Sequence, residues 1–308
     1  MNNKIIKKEL PELTVEESAH IVTSLIDRMM IEFKKSDRSG IYAKTQTEMA
    51  YNSNKIEGST LTPDQTASLF HTGTLRSSGE IVYRAKDIEE MTGHFSMFNE
   101  MLKTWNAPLT EDLIKSYHYR LKAGVFEDMA NGYPVGEYKN RINMVSNIET
   151  ARPDQVSGYM QQFLKKYAER SETTIQVMAW FHAAFEKIHP FQDGNGRVGR
   201  MLLFKECLNN GIIPIIIRDE DKEQYYHALN QAQTCGKYEP LVTYFQQEQE
   251  RYYNIAQTFL LDYSQEHQTQ ISPMQDLERF LASGSRNTAL TEINEPMHVS
   301  LEDEFEER

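Results

Sequence analysis

The sequence predicts an all-α protein, a helical bundle that carries one small β-hairpin. Helix-start signals recur along the chain, apolar residues are spaced as on helix faces, and only residues 135–145 alternate apolar with polar side chains. At 308 residues the chain is long enough for a sizeable core and for two packed subregions. We therefore expect a helical architecture in which the hairpin is a local addition.

The predicted helices begin at recognisable capping residues. Thr14 precedes two glutamates and opens a helix that reaches about Phe33. Residues 45–56 form the next helix, which Gly58 stops. Thr62, followed by proline, opens a third helix. Further helices are predicted over residues 83–102, from residue 110, and over residues 153–167, 173–188, 222–233 and 239–262.

One segment departs from the helical pattern. Within residues 135–145, Tyr138, Ile142 and Met144 fall on one face, with mostly polar residues between them. A two-residue period of this kind is typical of a half-buried strand. This segment therefore supplies the predicted β-hairpin.

Composition favours a cytoplasmic enzyme. The formal net charge of −12 argues against nucleic acid as a partner. We expect neither a signal peptide nor a membrane anchor, because no apolar run is long enough to span a bilayer. Cys207 and Cys235 are expected to be reduced thiols that form no disulfide and no metal cluster.

Three regions are expected along the chain. Residues 1–105 form an N-terminal helical region, and residues 106–263 form the core that carries the chemistry. Residues 264–308 form a polar, acidic tail with few large apolar side chains. We expect this tail to be poorly ordered and assign no activity to it.

One short stretch of the chain contains the groups that bind phosphate. Gly194, Asn195 and Gly196 can adopt backbone angles that turn consecutive N–H groups inward as an anion-binding nest. A helix begins at about the same place, and its free N–H groups and dipole favour phosphate. Arg197 and Arg200 lie three residues apart, so both reach the same side of the helix start and can grip phosphate oxygens.

Two further side chains complete this stretch. Asp193 is a hard oxygen ligand suited to Mg²⁺, which often binds through one carboxylate, substrate phosphates and water. His189 has an ordinary pKa near neutrality, so it can take a proton from an attacking hydroxyl. Together with the anion site, these groups favour chemistry on a nucleotide phosphate with a bound metal ion.

Residues 189–200 match, position for position, the motif His-Pro-Phe-x-Asp/Glu-Gly-Asn-Gly-Arg-x-x-Arg of the Fic (filamentation-induced-by-cAMP) family. The resemblance implies a Fic-type helical bundle that transfers AMP from ATP to a protein hydroxyl and releases pyrophosphate. It also implies that His189 is the base, Asp193 the magnesium ligand, and residues 194–200 the phosphate site. The similar Doc toxins carry Lys at the position of Gly196 and phosphorylate their targets, so Gly196 favours nucleotidyl transfer.

A second resemblance lies upstream, in the predicted helix at about residues 45–58. Ser53 and Glu57, followed by glycine, resemble the family's inhibitory motif Ser/Thr-x-x-x-Glu-Gly/Asn. The resemblance implies that Glu57 pairs with Arg200, keeps it from the γ-phosphate and misaligns the α-phosphate. Ser53, one helical turn earlier, is expected to aim the carboxylate. The chain thus resembles the self-inhibited class whose inhibitory helix precedes the Fic core.

Two flanking segments are expected to contact substrates. Similar Tyr-Tyr pairs follow the motif in Fic proteins, so Tyr225 and Tyr226 are expected to stack against adenine, with Gln233 reaching the base or ribose. A tyrosine pair on a helix also fits a core position, and that alternative stays open.

Residues 135–145 fall where Fic proteins carry a β-hairpin flap on which a target segment docks as an added strand. Ile142 resembles the flap residue that clamps beside the modified side chain.

The resemblance therefore implies a protein adenylyltransferase that uses ATP and Mg²⁺, acts on a Ser, Thr or Tyr hydroxyl and is held off by Glu57. Two alternatives remain, namely removal of AMP from a modified protein with the help of Glu57, and ATP binding without turnover. A metal-dependent phosphohydrolase is disfavoured because the needed cluster of His and Asp ligands is missing from the sequence. The partner is a protein, the chain itself included, and a homodimer through helical faces is compatible with the sequence.

Overall fold

The computed structural model describes residues 9–75, 82–145 and 148–266, and within these ranges the chain is mainly helical. Two 3-10 turns cover Leu10–Glu12 and Asp219–Asp221, and the short strands β1 (Met144–Val145) and β2 (Ile148–Glu149) pair antiparallel. The helices are α1 (Val15–Lys35), α2 (Ile41–Ile56), α3 (Pro63–Thr72), α4 (Ala85–Lys103), α5 (Glu111–Lys122), α6 (Phe126–Asn131), α7 (Val156–Ala168), α8 (Ile175–Ile188), α9 (Asn195–Asn209), α10 (Lys222–Cys235) and α11 (Glu239–Glu266).

The predicted capping residues start the helices as expected. Thr14 Oγ1 accepts a hydrogen bond from Glu17 N at 3.2 Å, while the Glu17 carboxylate accepts one from Thr14 N at 2.9 Å. Thr62 and Gln65 form the same reciprocal pair at the start of α3, with distances of 2.9 and 3.2 Å. Thr110 caps α5 with its hydroxyl alone. These local signals lie within one helical turn, which is why the sequence alone predicts them.

The start of α2 depends on a residue from another helix. α2 begins at Ile41, before the predicted start at residue 45. The carboxylate of Glu32, which is buried on α1, accepts a hydrogen bond from Tyr42 N at 2.8 Å and so satisfies a free amide of the first turn. Gly40 makes room for this contact, because a Cβ there would lie 2.0 Å from Glu32 Oε1. A helix cap that is supplied by a residue of another helix leaves no local pattern in the sequence.

The hairpin is much shorter than the sequence pattern indicates. In the part of the chain that the structure describes, strand pairing is confined to β1 and β2, and residues 135–143 form no strand, so that part of the strand prediction is wrong. This stretch is irregular because other elements bind its backbone. Gly136 N donates to His118 Nδ1 at 2.9 Å, and Lys139 N donates to Pro190 O at 2.9 Å. The short helix α6, which precedes the stretch, has no counterpart among the predicted helices.

Helix α9 lies at the centre of the molecule. Every residue from Arg197 to Leu208 is buried, and the helix packs against α2, α4, α5 and α8. The main hydrophobic core includes Phe98 of the N-terminal region together with Phe185 and Leu202 of the expected core region. The two regions therefore share one core. Because α9 begins at the residues of the matched motif, this core fixes the position of the motif.

None of the helices in the described ranges is long and apolar enough to cross a membrane. Helix α11 continues to Glu266, about one turn past the predicted end at residue 262. The remainder of the expected tail, residues 267–308, lies outside the described residues.

Candidate active site

The loop between α8 and α9 positions His189. This residue ends α8 with φ 53° and ψ 60°, a left-handed conformation that residues other than glycine rarely adopt. Its backbone N–H donates to Phe185 O at 3.0 Å, so α8 holds the residue in place. The ring Nδ1 lies 3.3 Å from Glu186 O. Since a carbonyl oxygen only accepts, we assign the ring proton to Nδ1 and the unshared pair to Nε2.

The His189 ring is neutral near pH 7. Burial lowers its pKa to about 4, and the Lys139 ammonium acts in the same direction. The Glu186 carbonyl, Glu57 and Asp193 oppose this shift. The pKa thus lies below the ordinary value expected from sequence, and the neutral imidazole is the form that can accept a proton.

The loop itself is folded around Phe191 and Asn195. Phe191 is fully buried, and Asn195 clamps its backbone: Phe191 N donates to Asn195 Oδ1 at 2.7 Å, and Asn195 Nδ2 donates to Phe191 O at 2.7 Å. The Asn195 side chain is therefore buried and engaged with the backbone of the loop. Its backbone N–H, with those of Gly196 and Arg197, belongs to the first turn of α9, where amides lack an acceptor within the helix. These main-chain groups are the donors that this end of α9 offers to an anion.

His118 of α5 is a second support of the loop that the sequence pattern does not reveal. Its ring stacks on Phe191, with centroids 3.9 Å apart and planes 1° apart. Gly136 N donates to His118 Nδ1 at 2.9 Å, so Nε2 carries the proton and donates to Asp193 O at 3.0 Å. Burial lowers the pKa of His118 to about 3, which keeps this arrangement neutral.

Asp193 is held by main-chain and side-chain donors. Gly194 N donates to Oδ1 at 2.7 Å, and Lys122 Nζ lies 2.7 Å from Oδ2. Burial opposes ionisation, but Arg197 and Lys122 hold the pKa of this carboxyl well below its usual range. The side chain is 35% exposed. Asp193 is therefore an ionised carboxylate with one side open to solvent.

Lys122 joins Asp193 to a buried ionic cluster that was absent from the sequence-based prediction. Its ammonium also lies 2.6 Å from Glu90 Oε1 and 2.8 Å from Asp128 Oδ2. Lys122, Glu90 and Asp128 are each at least nine-tenths buried. They come from α5, α4 and α6, and no motif links them along the chain. Only the packing of these helices brings the three side chains together.

Arg197 is part of the same cluster. Nη1 lies 2.6 Å from Glu90 Oε2 and donates to Asn54 Oδ1 at 3.4 Å, and the residue is 2% exposed. The expectation was that both arginines reach the same side of the helix start and grip phosphate, but Arg197 is turned into this cluster. In this conformation the Arg197 guanidinium is enclosed, and it ties α9 to α2 and α4.

Arg200 makes the contact with α2 that the sequence predicts. Nη2 lies 2.6 Å from Glu57 Oε1 and donates to Ser53 O at 3.0 Å, while Nε donates to Ser53 Oγ at 2.9 Å. The expectation that Ser53 aims the Glu57 carboxylate stays a prediction, because the recorded bond of its hydroxyl is the one that it accepts from the arginine. Ser53 therefore fixes Arg200, and Arg200 in turn meets Glu57.

Gly196 allows Glu57 to lie against the loop. A Cβ on this residue would stand 2.4 Å from Glu57 Oε1 and 2.9 Å from Arg200 Nη1. Contacts this short do not occur for real Cβ atoms without movement of a neighbour. The absence of a side chain at this position thus has a structural consequence beyond space for phosphate, since it admits the carboxylate to the first turn of α9.

The two tyrosines of α10 differ in exposure. Tyr225 is 1% exposed, and its hydroxyl lies 2.8 Å from His182 Nε2. The prediction that Tyr225 stacks against adenine is therefore wrong, because its ring belongs to the core. Tyr226 is 42% exposed and keeps a free face. Gln233 donates to Ala183 O at 3.2 Å and so binds α10 to α8 through its amide nitrogen.

The segment before β1 runs beside the catalytic loop. Arg141 N donates to Gln192 Oε1 at 3.2 Å, and Asn143 Nδ2 donates to Phe191 O at 3.0 Å. Ile142 lies between these two anchors and is 66% exposed. A large apolar side chain is thus presented at the edge of the loop that carries His189.

Fold and site together define a helical domain whose central helix begins one short loop after a neutral, half-buried histidine. Residues 108–207 match the Fic/DOC family. The chain therefore contains a Fic domain.

Curated relatives carry the name protein adenylyltransferase Fic. The protein from Nematostella vectensis is 29% identical over 188 residues, which cover 59% of this chain and 42% of the relative. The protein from Drosophila grimshawi is 28% identical over 250 residues, which cover 74% of this chain and 49% of the relative. The chain thus spans about half the length of the curated relatives it matches.

Solved structures share the fold. A Fic domain containing signaling protein from Bacteroides thetaiotaomicron superposes with a TM-score of 0.64 at 25% identity, covering 80% of this chain and 97% of that protein. Fic-1 from C. elegans gives a TM-score of 0.57 at 22% identity, covering 78% of this chain and 71% of the solved one. The second likeness concerns the fold alone.

Proposed function

We propose that this protein transfers AMP from ATP to a Ser, Thr or Tyr hydroxyl of a protein, and that Glu57 holds it inactive. The observation that carries the proposal is the position of a neutral, half-buried histidine one short loop before the first turn of α9, whose amides lack an acceptor within the helix. The names of the relatives supply the reaction class, protein adenylylation.

His189 acts as the base. Its Nδ1 proton is bound to Glu186 O, so Nε2 takes the proton of the target hydroxyl as the oxygen attacks the α-phosphorus of ATP. The new P–O bond forms while the bond to the bridging oxygen of the β-phosphate breaks, and pyrophosphate leaves. One proton passes to the imidazole and later to solvent, which returns the base to its starting state.

The first turn of α9 and Arg200 bind the phosphates. The amides of residues 195–197 supply hydrogen-bond donors and the positive end of the helix dipole. Arg200, once separated from Glu57, supplies a planar guanidinium suited to two phosphate oxygens. Tyr226, near the N-terminal end of α10, offers an exposed ring on which adenine can stack.

Asp193 is the residue that would hold Mg²⁺. Its carboxylate is ionised and part-exposed, which fits a cation that takes one protein ligand and completes its shell with phosphate and water. Among the described residues no group of three or more His, Cys, Asp or Glu side chains is placed to form a metal cage. The bound ion would neutralise charge on the phosphates.

Glu57 blocks the productive arrangement. Its carboxylate is paired with Arg200, and Oε1 lies 2.4 Å from the point where a Cβ of Gly196 would be, so it places negative charge against the first turn of α9. A triphosphate would meet this charge and an arginine that is already engaged. An error of about 1 Å in the position of the reacting phosphorus can cost roughly 10²-fold in rate.

Removal of AMP from a modified protein is the second candidate. The observation that favours it is the partial exposure of Glu57, whose side chain is 32% exposed beside the loop. A carboxylate at this position could orient a water molecule for attack on a phosphodiester. AMP removal would require Glu57, whereas AMP transfer requires that Glu57 leave Arg200.

The segment before β1 is proposed to dock the target. Ile142 is exposed beside the loop, and the short β1–β2 pair offers a strand edge for main-chain pairing. Such pairing is largely indifferent to the target's sequence, which permits modification of the chain itself. A homodimer through helical faces is also proposed, and sedimentation of the purified chain tests it.

Label transfer from ATP tests the proposed activity. Wild type, Glu57→Gly, Glu57→Gln and Glu57→Gly/His189→Ala are incubated with Mg²⁺ and either α-³²P-ATP or γ-³²P-ATP. Label on protein from α-³²P-ATP, strongest in Glu57→Gly and absent in the double variant, is the expected result. Label on protein from γ-³²P-ATP would show that the reaction is phosphoryl transfer and not AMP transfer. Loss of AMP from a modified protein in wild type but not in Glu57→Gly would select the second candidate.

A further inference from the structure

Lys139 is a buried cation whose recorded partners are all neutral. The residue is 3% exposed, and Nζ donates to Asn143 Oδ1 at 2.7 Å and to Thr150 Oγ1 at 2.9 Å. Among the described residues, no carboxylate lies within 4.0 Å of this ammonium group. Burial lowers the pKa of Lys139 to about 8, so the group is still mainly charged at neutral pH. An ion buried without a counter-ion is costly, which calls for an explanation.

The backbone at Lys139 and the backbone next to its partner Thr150 are bound to residues on the two sides of His189. Lys139 N donates to Pro190 O at 2.9 Å, and Ala151 N donates to Ile188 O at 3.3 Å. Asn143, one of the two neutral partners, donates to Phe191 O at 3.0 Å. The ammonium is therefore held in a fixed place relative to the catalytic loop.

Four elements place charged or polar groups around the His189 ring. Lys139 approaches from the segment before β1, Glu57 from α2 and Asp193 from the loop, while the Glu186 carbonyl of α8 binds the ring directly. Glu57, Asp193 and the carbonyl stabilise a protonated ring, whereas Lys139 destabilises it. Among these groups, Lys139 alone opposes protonation through its charge.

We propose that Lys139 is a positioning residue that fixes a positive charge beside the His189 imidazole and so keeps the base unprotonated. Without it, burial would have to offset two neighbouring carboxylates unaided. The inference rests on the proposed role of His189, since only a base must be free of its proton before reaction. The charge also favours return of the proton to solvent after transfer, because an imidazolium next to an ammonium is disfavoured.

The test measures the protonation of His189 directly and requires no turnover. Histidines labelled with ¹³C at Cε1 are titrated by NMR, and the His189 resonance is identified by its absence in His189→Gln. The wild-type ring should remain neutral down to about pH 5. Lys139→Met and Lys139→Gln should raise the His189 pKa by roughly one pH unit, and Lys139→Arg should leave it low. Glu57→Gly should change the pKa in the opposite direction, downward.

Thr150→Val is the matched control. It removes one hydroxyl partner of the ammonium but keeps the charge, so the His189 pKa should stay low even if the segment loosens. An unchanged His189 pKa in both neutral variants would overturn the proposal. A wild-type pKa at or above the ordinary value of about 6.5 would overturn it without any variant.

Transfer assays separate this inference from the proposed function. In the Glu57→Gly background, the added Lys139→Gln change should move the acid limb of the rate profile upward with the His189 pKa. A moved pKa with no AMP transfer in any variant would refute the function and leave the electrostatic effect intact. Transfer with an unmoved pKa would refute the role of Lys139 alone.

Discussion

The Glu57 carboxylate and the Arg200 guanidinium form an ion pair between α2 and α9, with Oε1 and Nη2 2.6 Å apart. Burial disfavours the charged form of Arg200, but Glu57 more than compensates and raises the pKa of the guanidinium. Both remaining bonds of Arg200 go to Ser53 on the same helix. A phosphate that takes the place of Glu57 at Arg200 Nη2 must therefore compete with partners from α2.

Ser53→Ala should partly relieve the proposed inhibition. The change removes the acceptor of Arg200 Nε and leaves the Glu57 pair in place. A hydrogen bond to a charged group contributes about 1.5–3 kcal/mol, so the closed arrangement should weaken without being lost. AMP transfer should exceed that of wild type and fall below that of Glu57→Gly. Thr47→Ala on α2 is the control, because its hydroxyl bonds only to carbonyls of its own helix, and it should match wild type.

Acid should destabilise the fold through its buried histidines. Burial lowers the pKa values of His94, His118 and His182 to about 3 each. Below the unfolded value of about 6.5 the unfolded chain binds protons that the folded chain does not, so stability is present above that pH and is lost as pH falls. The slope is at most about 1.4 kcal/mol per pH unit for each histidine. Urea unfolding at about pH 7.5 and about pH 5 measures it.

His94→Leu is the check on this assignment. It removes one of the titrating rings at a fully buried position and should make the pH dependence shallower. A slope that is unchanged in His94→Leu would show that another group carries the acid sensitivity.

The two tyrosines of α10 should separate binding from stability. Tyr226→Ala removes an exposed ring and should weaken ATP binding by about 1–3 kcal/mol, the usual value for stacking of one base, with little change in melting temperature. Tyr225→Phe removes the hydroxyl that meets His182 and should lower stability without a direct effect on the nucleotide. Calorimetric titration with ATP and thermal unfolding measure the two effects. Equal ATP affinity in wild type and Tyr226→Ala would place adenine elsewhere.

The sequence predicts those parts of the site that are continuous along the chain. The residues from His189 to Arg200 share one loop and one helix start, so their spacing alone indicates an anion site. Ser53 and Glu57 lie one turn apart, and their motif predicts the contact with Arg200. Local capping residues likewise predict the starts of α1, α3 and α5.

The supporting residues are not predictable in this way. Glu90, Lys122 and Asp128 come from three helices, and only the packing of those helices makes them neighbours. Tyr225 and Tyr226 are identical in sequence terms, and which ring faces solvent is decided by the rotation of α10 in the core. The strand over residues 135–143 was predicted from alternation, but the tertiary bonds of its backbone prevent pairing.

Lys122 should be the most sensitive position in the cluster that holds Asp193. Its ammonium lies within 2.8 Å of Glu90, Asp128 and Asp193. Lys122→Met keeps much of the side-chain volume but leaves these carboxylates without their shared cation. Breaking a buried ion pair in this manner costs about 3–5 kcal/mol, and denaturant unfolding should register a loss of that size. Transfer should fall as well, because Asp193 loses one of its two close donors.

Lys122→Met/Asp128→Asn is the companion variant. Burial already raises the pKa of Asp128, so removal of its charge should restore part of the stability lost with the lysine. The rate of AMP transfer should recover less than the free energy of unfolding, since the double variant still lacks the Lys122 donor to Asp193. If the double variant is no more stable than Lys122→Met, repulsion between the carboxylates does not cause the loss. Lost packing around the lysine stem would then account for it.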